Sequence, residues 1–256
     1  MQSPDAFSHI PASAPDGLQV LNARLAFGTR VLFDNVSLSL SRSSWSCLLG
    51  RSGCGKSSLL RMIAGLGVSS DAHLTLIDDA HRPFARRIAW MGQQDLLLPW
   101  RRVIDNVQLG AVMRSDRRDP DRAMALLERV GLGWAANRYP QTLSGGERAR
   151  VSLARTLFEQ AALVLMDEPF AALDAMTRLD VHARACELLA DRIVLMVTHD
   201  PLEALRLSDQ LLVMRGSPAH IERLSPPEGA PPRDPATASI SHHHGELLKA
   251  LMEQAP

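Results

Sequence analysis

No stretch of this 256-residue chain approaches the ~20 consecutive apolar residues needed to span a bilayer. Residues 1–17 hold Ser, Pro, Asp and Gly, with neither a basic start nor an apolar centre. They read as a disordered polar tail and not as a secretory signal. Any membrane role is therefore expected to come through a partner. Cysteine is scarce: Cys47, Cys54 and Cys186 are odd in number, widely spaced and without a CxxC pair. That excludes a disulfide framework and a cysteine metal cluster, and it suits a reducing compartment. An excess of one charge is missing too. Lys+Arg and Asp+Glu each total 28, which leaves no basic surplus for nucleic acid and no acidic tail. No internal repeat is visible.

What is present is a core. Hydrophobic residues make up 46%, enough for one large α/β domain or two small ones, and too many for a disordered chain. Leu18–Leu25 and Val36–Leu40 alternate like half-buried strands. Trp45–Leu49 is a short strand feeding Gly50, and Ser57–Gly65 has helical spacing at Leu59, Leu60, Ile63 and Ala64. Residues 66–92 look strand-rich, and 103–160 mostly helical, with Pro120 opening one helix and Ser144 capping another. Ala161–Met166 and Ile193–Val197 are almost wholly apolar, which suits central parallel strands buried on both faces. Leu211–Met214 is a further strand. The Pro-rich stretch 217–241 reads as an irregular extension, and Glu246–Glu253 as a last short helix.

Chemistry enters with Gly50-Arg51-Ser52-Gly53-Cys54-Gly55-Lys56-Ser57, between a strand and a helix. Gly50, Gly53 and Gly55 let the backbone close on phosphate oxygens, and the following helix offers its N-terminal dipole. Lys56 is expected to reach the β- and γ-phosphates of ATP, and the Ser57 hydroxyl to hold Mg2+. The amides of Arg51, Ser52, Cys54 and Ser58 complete the cradle. Cys54 is read as a small loop residue, with a redox role as the alternative.

Asp167 and Glu168 end an apolar strand, where ligands of open α/β sheets sit. Asp167 is expected on the metal, and Glu168 as the base that polarises the attacking water. His199 ends the strand Ile193–Val197 in the same way. Between loop and strand lies Leu143-Ser144-Gly145-Gly146-Glu147. Its glycines open a helix with unused backbone donors, a second place to hold a γ-phosphate.

This ordered set resembles the ATP-hydrolysing subunit of an ABC transporter, from about Leu18 to about Arg215. The resemblance implies an α/β P-loop NTPase (ABC ATPase) core with a small antiparallel β subdomain and a helical signature subdomain. The core spans 18–240, the helical subdomain about 94–158, and 241–256 is a tail with a short helix. It implies that Ser144, Gly145 and Gly146 reach the ATP of a second copy, so that two ATP molecules lie head to tail between two chains. Asp174, in Ala172-Leu173-Asp174, links the two sites. Phe27 stacks on adenine, with an ordinary half-buried strand phenylalanine as the alternative. Gln93 touches Mg2+ and senses the γ-phosphate; its neighbour Gln94 is one register away. His199 contacts the γ-phosphate.

Leu97-Leu98-Pro99-Trp100 and Val103-Ile104-Asp105-Asn106-Val107 resemble one subgroup, the importers of nitrate, sulfonate, taurine and thiamine-precursor pyrimidines. That implies a transmembrane permease docking near Trp100, a solute-binding protein acting indirectly, and a place on the cytoplasmic face of the bacterial inner membrane. The alternative for Trp100 is packing onto the helical subdomain. Ser43-Ser44 stands where relatives carry Gly-Glu. His242-His243-His244 reads as a solvated tract, with metal binding as the alternative. The rivals fit less well. A non-transport ABC ATPase of a soluble complex would need a coiled-coil insertion or a second nucleotide domain. A switch GTPase would need Asn-Lys-x-Asp, and a non-hydrolysing module would not keep Lys56, Asp167, Glu168 and His199.

Overall fold

Period-2 burial separates two kinds of strand. The computed structural model describes residues 17–84 and 87–252. In β1 (Gly17–Phe27) and β2 (Arg30–Ser41) inward residues alternate with exposed ones, as in Phe33, Val36, Leu38 and Leu40. They form an antiparallel hairpin, and β1 also pairs antiparallel with β4 (His73–Asp78). This is the small antiparallel layer. The strands β3 (Ser44–Gly50), β6 (Leu163–Asp167) and β7 (Ile193–Val197) are instead buried on both faces. They run parallel, with β5 (Ile88–Met91) beside β6 and β8 (Gln210–Gly216) beside β3. With β9 (Ala219–Leu224), the strands of the described residues join in one nine-stranded sheet ordered β4-β1-β2-β9-β8-β3-β7-β6-β5.

The alternation along these central strands feeds two cores. Leu48, Leu165, Leu195 and Val197 face α1 (Lys56–Ile63) and the hairpin, where Leu59, Leu60, Ile63 and Phe33 pack on them. Cys47, Leu49, Val164, Met166, Val194 and Met196 face the other side. There they meet α5 (Gly145–Phe158), α6 (Ala175–Leu188) and α7 (Pro201–Leu207). Apolar runs without alternation are what a sheet covered on both faces requires.

Ahead of α5 come α2 (Val103–Val107), α3 (Leu109–Met113) and α4 (Pro120–Arg129). Asp119 caps α4 and Pro120 opens it, since proline's missing N–H costs nothing in the first turn. Ser144 and Glu147 form a full capping box on α5.

Three expectations need correction. The stretch 217–241 is not wholly irregular: β9 (Ala219–Leu224) pairs antiparallel with β8, and α8 (Ala238–Met252) begins within it. The last helix therefore starts at Ala238 and not at Glu246, and the boundary expected after residue 240 falls inside it. Ile240 and Leu247 are buried in the core, so α8 packs on the domain. The tail expected over 1–17 lies outside the described residues except for Gly17, which already belongs to β1.

Candidate functional site

The phosphate loop is shaped by what crowds it. β3 delivers the chain at Gly50, where a Cβ would sit 2.5 Å from the Met214 carbonyl oxygen of β8. Gly55 has φ +106°, and a Cβ there would lie 2.9 Å from the Phe33 ring. Both positions demand glycine for space, and Gly55 for conformation as well. Lys56 opens α1 buried, its Nζ donating to the carbonyls of Gly50 (2.7 Å) and Arg51 (3.0 Å). The Ser57 hydroxyl donates to Asp167 Oδ1 at 2.8 Å, so the helix start and the end of β6 meet.

Glu168 follows in the left-handed region at φ 49°, uncommon for a residue with a side chain. Its amide still donates to Val197 O at 2.9 Å. Its carboxylate oxygen Oε2 lies 3.1 Å from His199 Nδ1, at the end of β7. A cavity of about 270 Å³ opens here, lined by Ser52, Gly53, Lys56, Ser57, Ser58 and Glu168 among others. Basic, hydroxyl and carboxylate groups converge on one small polar space. The oxygen donors Ser57 and Asp167 fit a hard divalent cation such as Mg2+.

A second cleft, about 400 Å³, lies beside the first. Gln93, Asp95, Gly145, Arg148, Pro169 and Leu173 are among its lining residues. The structure thus brings Gln93 beside the start of α5, while the phosphate cavity is lined by other residues. Ser144 is committed to its own helix: its Oγ accepts from Glu147 N (3.2 Å) and its amide donates to Glu147 Oε2 (2.7 Å). Asp174 caps α6 through Thr177 N at 3.0 Å, and hydrogen bonding from the Thr177 side chain and then its amide holds the carboxyl below the usual carboxylate value. A Cβ on Gly146 would sit 2.2 Å from Thr177 Cγ2. So Gly146 is small because α5 and α6 converge there, a reason additional to free backbone donors.

Phe27 ends β1 with 47% of its surface exposed, so about half of the ring is covered and the rest faces outward. Gln94 is exposed beside Gln93. The loop after them is tightly held, with Arg148 paired to Asp95 at 2.9 Å and Arg155 donating to the Asp95 and Leu96 carbonyls. Leu97 is buried, yet Leu96 and Trp100 project outward, 61% and 70% exposed. Trp100 does not pack onto the helical layer. His242, His243 and His244 sit in α8 and not in an extended tail; His243 Nδ1 donates to Ser239 O at 2.8 Å, and His242 lies 3.4 Å from Glu246. Among the described residues no three metal-ligating side chains cluster.

A family model described as ABC transporter matches residues 33–171, more than half of the chain. The chain belongs to that family. It is 41% identical, over 91% of its length and 98% of the relative's, to an uncharacterised ABC transporter ATP-binding protein of Haemophilus influenzae. It is 40% identical to the aliphatic sulfonates import ATP-binding protein SsuB 2 of Paracoccus denitrificans, with 95% of each chain covered. The SsuB of Yersinia pestis is 42% identical over 81% of this chain and 75% of that one. The crystal structure of an ABC transporter's ATP-binding cassette in its ADP conformation matches with a TM-score of 0.74 at 21% identity. It covers 93% of this chain and 97% of that one, so the two share the ABC ATPase fold.

Within that fold one contact was not legible beforehand. Arg178, one turn after Asp174, donates to Leu173 O (2.8 Å) and to Asp200 Oδ2 (3.1 Å). It ties the Asp174 loop to the His199 loop. Its only sequence signal is its spacing of one helical turn from the capping residue.

Proposed function

We propose that this chain is the ATP-hydrolysing subunit of an ABC importer, driving uptake of a small polar solute through a membrane permease. The observation that carries it is the Glu168–His199 contact at 3.1 Å above a loop holding Lys56 and the Ser57–Asp167 pair. The ATP phosphates lie in the 270 Å³ cavity, and their oxygens replace the Gly50 and Arg51 carbonyls on Lys56. Ser57, Asp167 and Gln93 would hold Mg2+, which would supply charge neutralisation to the phosphates. Glu168 orients the attacking water and takes its proton. His199 contacts the γ-phosphate and fixes the Glu168 carboxylate. Phe27, exposed at the hairpin end, stacks on adenine.

Two copies join head to tail. Ser144, Gly145 and Gly146 of one copy face the ATP of the other, and the Asp174 loop links the two sites. The core runs from β1 through α8, with the helical subdomain at about 94–158. The permease docks over Leu96 and Trp100, since an exposed apolar loop held by so many hydrogen bonds is costly unless covered. The chain then sits on the cytoplasmic face of the inner membrane, and a solute-binding protein acts indirectly. The solute is of nitrate, sulfonate, taurine or thiamine-precursor pyrimidine type; relatives named for aliphatic sulfonate import favour the second.

The test is co-purification of a tagged Glu168→Gln chain with the adjacent permease. ATP and Mg2+ should yield a stable assembly with two copies of each. An ATP-dependent dimer that ignores the permease would instead favour an ABC ATPase of a soluble complex.

A further inference from the structure

We infer that Arg233, in the Pro-rich segment between β9 and α8, is a positioning residue for His199, acting through helix α7. The inference rests on the reading of His199 as a γ-phosphate contact. Helix α7 has seven residues and is about 10 Å long. A helix that short has little stability of its own, so its placement is set by tertiary contacts.

Groups of contacts at its start, its middle and its end set it. At the N-terminus Asp200, the residue after His199, accepts from Leu202 N (2.9 Å) and Glu203 N (3.3 Å), and Arg178 pairs with its other oxygen. In the first turn, Glu203 Oε1 meets His182 Nε2 of α6 at 3.0 Å. The opposite ring nitrogen, Nδ1, lies 3.2 Å from Arg206 Nη1. A guanidinium can only donate, so Nδ1 accepts and the ring proton sits on Nε2, donated to Glu203.

At the C-terminus Arg233 does the work of a cap. Its Nη1 donates to Leu205 O (2.9 Å) and Ser208 O (2.8 Å), carbonyls at the end of the helix. Its amide donates to Arg206 O, and Arg206 Nε donates back to Arg233 O, both at 2.9 Å. A cation there also complements the helix dipole. His182, Glu203, Arg206 and Arg233 are at most 8% exposed, so water cannot replace these bonds. The network reaches the other partner too, for the His182 ring packs edge-on against Phe170, two residues beyond Glu168, with centroids 4.8 Å apart.

A helix this short moves as a rod. Loosening its C-terminal anchor shifts its N-terminus, where His199 must stay within about 3 Å of Glu168. A misplacement of about 1 Å is enough to cost up to 10²-fold in rate. Arg233 is not among the residues that line the phosphate cavity, which belong to α1, its loop, β2 and Glu168. ATP binding should therefore be spared.

The test measures single-turnover ATP hydrolysis and ATP affinity for the full chain, for Arg233→Ala, Arg233→Lys and His199→Ala, and for the Arg233→Ala, His199→Ala double variant. Arg233→Ala should hydrolyse at least about tenfold more slowly, with ATP affinity within about twofold of the parent. In the His199→Ala background the same change should cost less than about twofold, because residues acting through one contact are not additive. Arg233→Lys should recover part of the rate by keeping a cation at the helix end, and it carries the same comparison if the alanine variant fails to fold. Parental turnover in Arg233→Ala, or an undiminished tenfold loss in the His199→Ala background, overturns the inference. Parental turnover in His199→Ala alone overturns the role of His199 on which it rests.

Discussion

Replacing Asn106 with leucine should loosen the loop that presents Trp100. Asn106 is fully buried at the start of the helical layer. Its Oδ1 accepts from Leu98 N at 2.7 Å, and its Nδ2 lies 3.1 Å from each of the Leu98, Arg101 and Arg102 carbonyls. Two hydrogens serve three acceptors, so about three bonds exist at once. Leu98 O also accepts from Arg101 N, and Arg102 O from Asn106 N, so those carbonyls keep a partner in the variant. The groups left stranded are Leu98 N–H and Arg101 O. Stranding a buried polar group costs about 1–3 kcal/mol, less where water can reach. Both residues are partly exposed, which puts the sum at about 2–3 kcal/mol. For a chain of this size that is a fall in thermal midpoint of about 4–12 °C. The assay is thermal unfolding of parent and Asn106→Leu at one scan rate, with ATP affinity measured alongside. Affinity should hold, since no residue of this loop lines the phosphate cavity. A midpoint within about 2 °C of the parent would refute the accounting.

Three further outcomes follow from the site and its surroundings. Glu168→Gln should bind ATP normally and hydrolyse it about 10²–10⁴-fold more slowly; near-parental turnover would remove Glu168 from the role of base. Ser43→Gly should raise stability by about 0.5–1 kcal/mol, because Ser43 is held at φ 49° in the β2–β3 turn and glycine escapes most of that cost while adding some chain entropy. Denaturation midpoints check it, and a loss of stability would contradict the backbone argument. Thiol titration of the native chain at pH 8 should find one accessible cysteine, Cys54, slowed by ATP. Burial pushes the Cys186 thiol up to about 12 and Cys47 well above its ordinary value, so both should react only after unfolding. Rapid reaction of three thiols would contradict the burial of Cys47 and Cys186.

What could be read from the sequence was what is decided locally. The phosphate loop announces itself because Gly50 and Gly55 are forced by space that only glycine leaves. The strands β6 and β7 announce themselves because burial on both faces leaves no polar position before Asp167 in the one and none in the other. Helix α6 did not, since its buried face is built from Val181, His182, Ala185 and Cys186, and a histidine in that stripe blurs the helical period. Strand β9 did not because its partner is β8, in a register from Leu211–Leu224 to Gly216–Ala219, and the surrounding prolines suggested loop. Arg233 lay inside that same stretch, and its partners at 205, 206 and 208 are chosen by the fold and not by spacing.

Asn106 shows the intermediate case. Val103-Ile104-Asp105-Asn106-Val107 and Leu97-Leu98-Pro99-Trp100 were each legible as segments marking a resemblance, but nothing in the chain said they were one device. The structure supplies the reason. Asn106 grips the backbone of Leu98, Arg101 and Arg102, while Leu97 is sunk in the core and Trp100 is left outside. An exposed tryptophan on a slack loop would fold back onto the nearest apolar surface. Held by an amide with three backbone partners, it stays where a partner can meet it. A polar residue at the bottom of the helical layer thus sets the shape of an apolar surface at its top, and a change at position 106 should be felt at position 100 before it is felt at the phosphate loop.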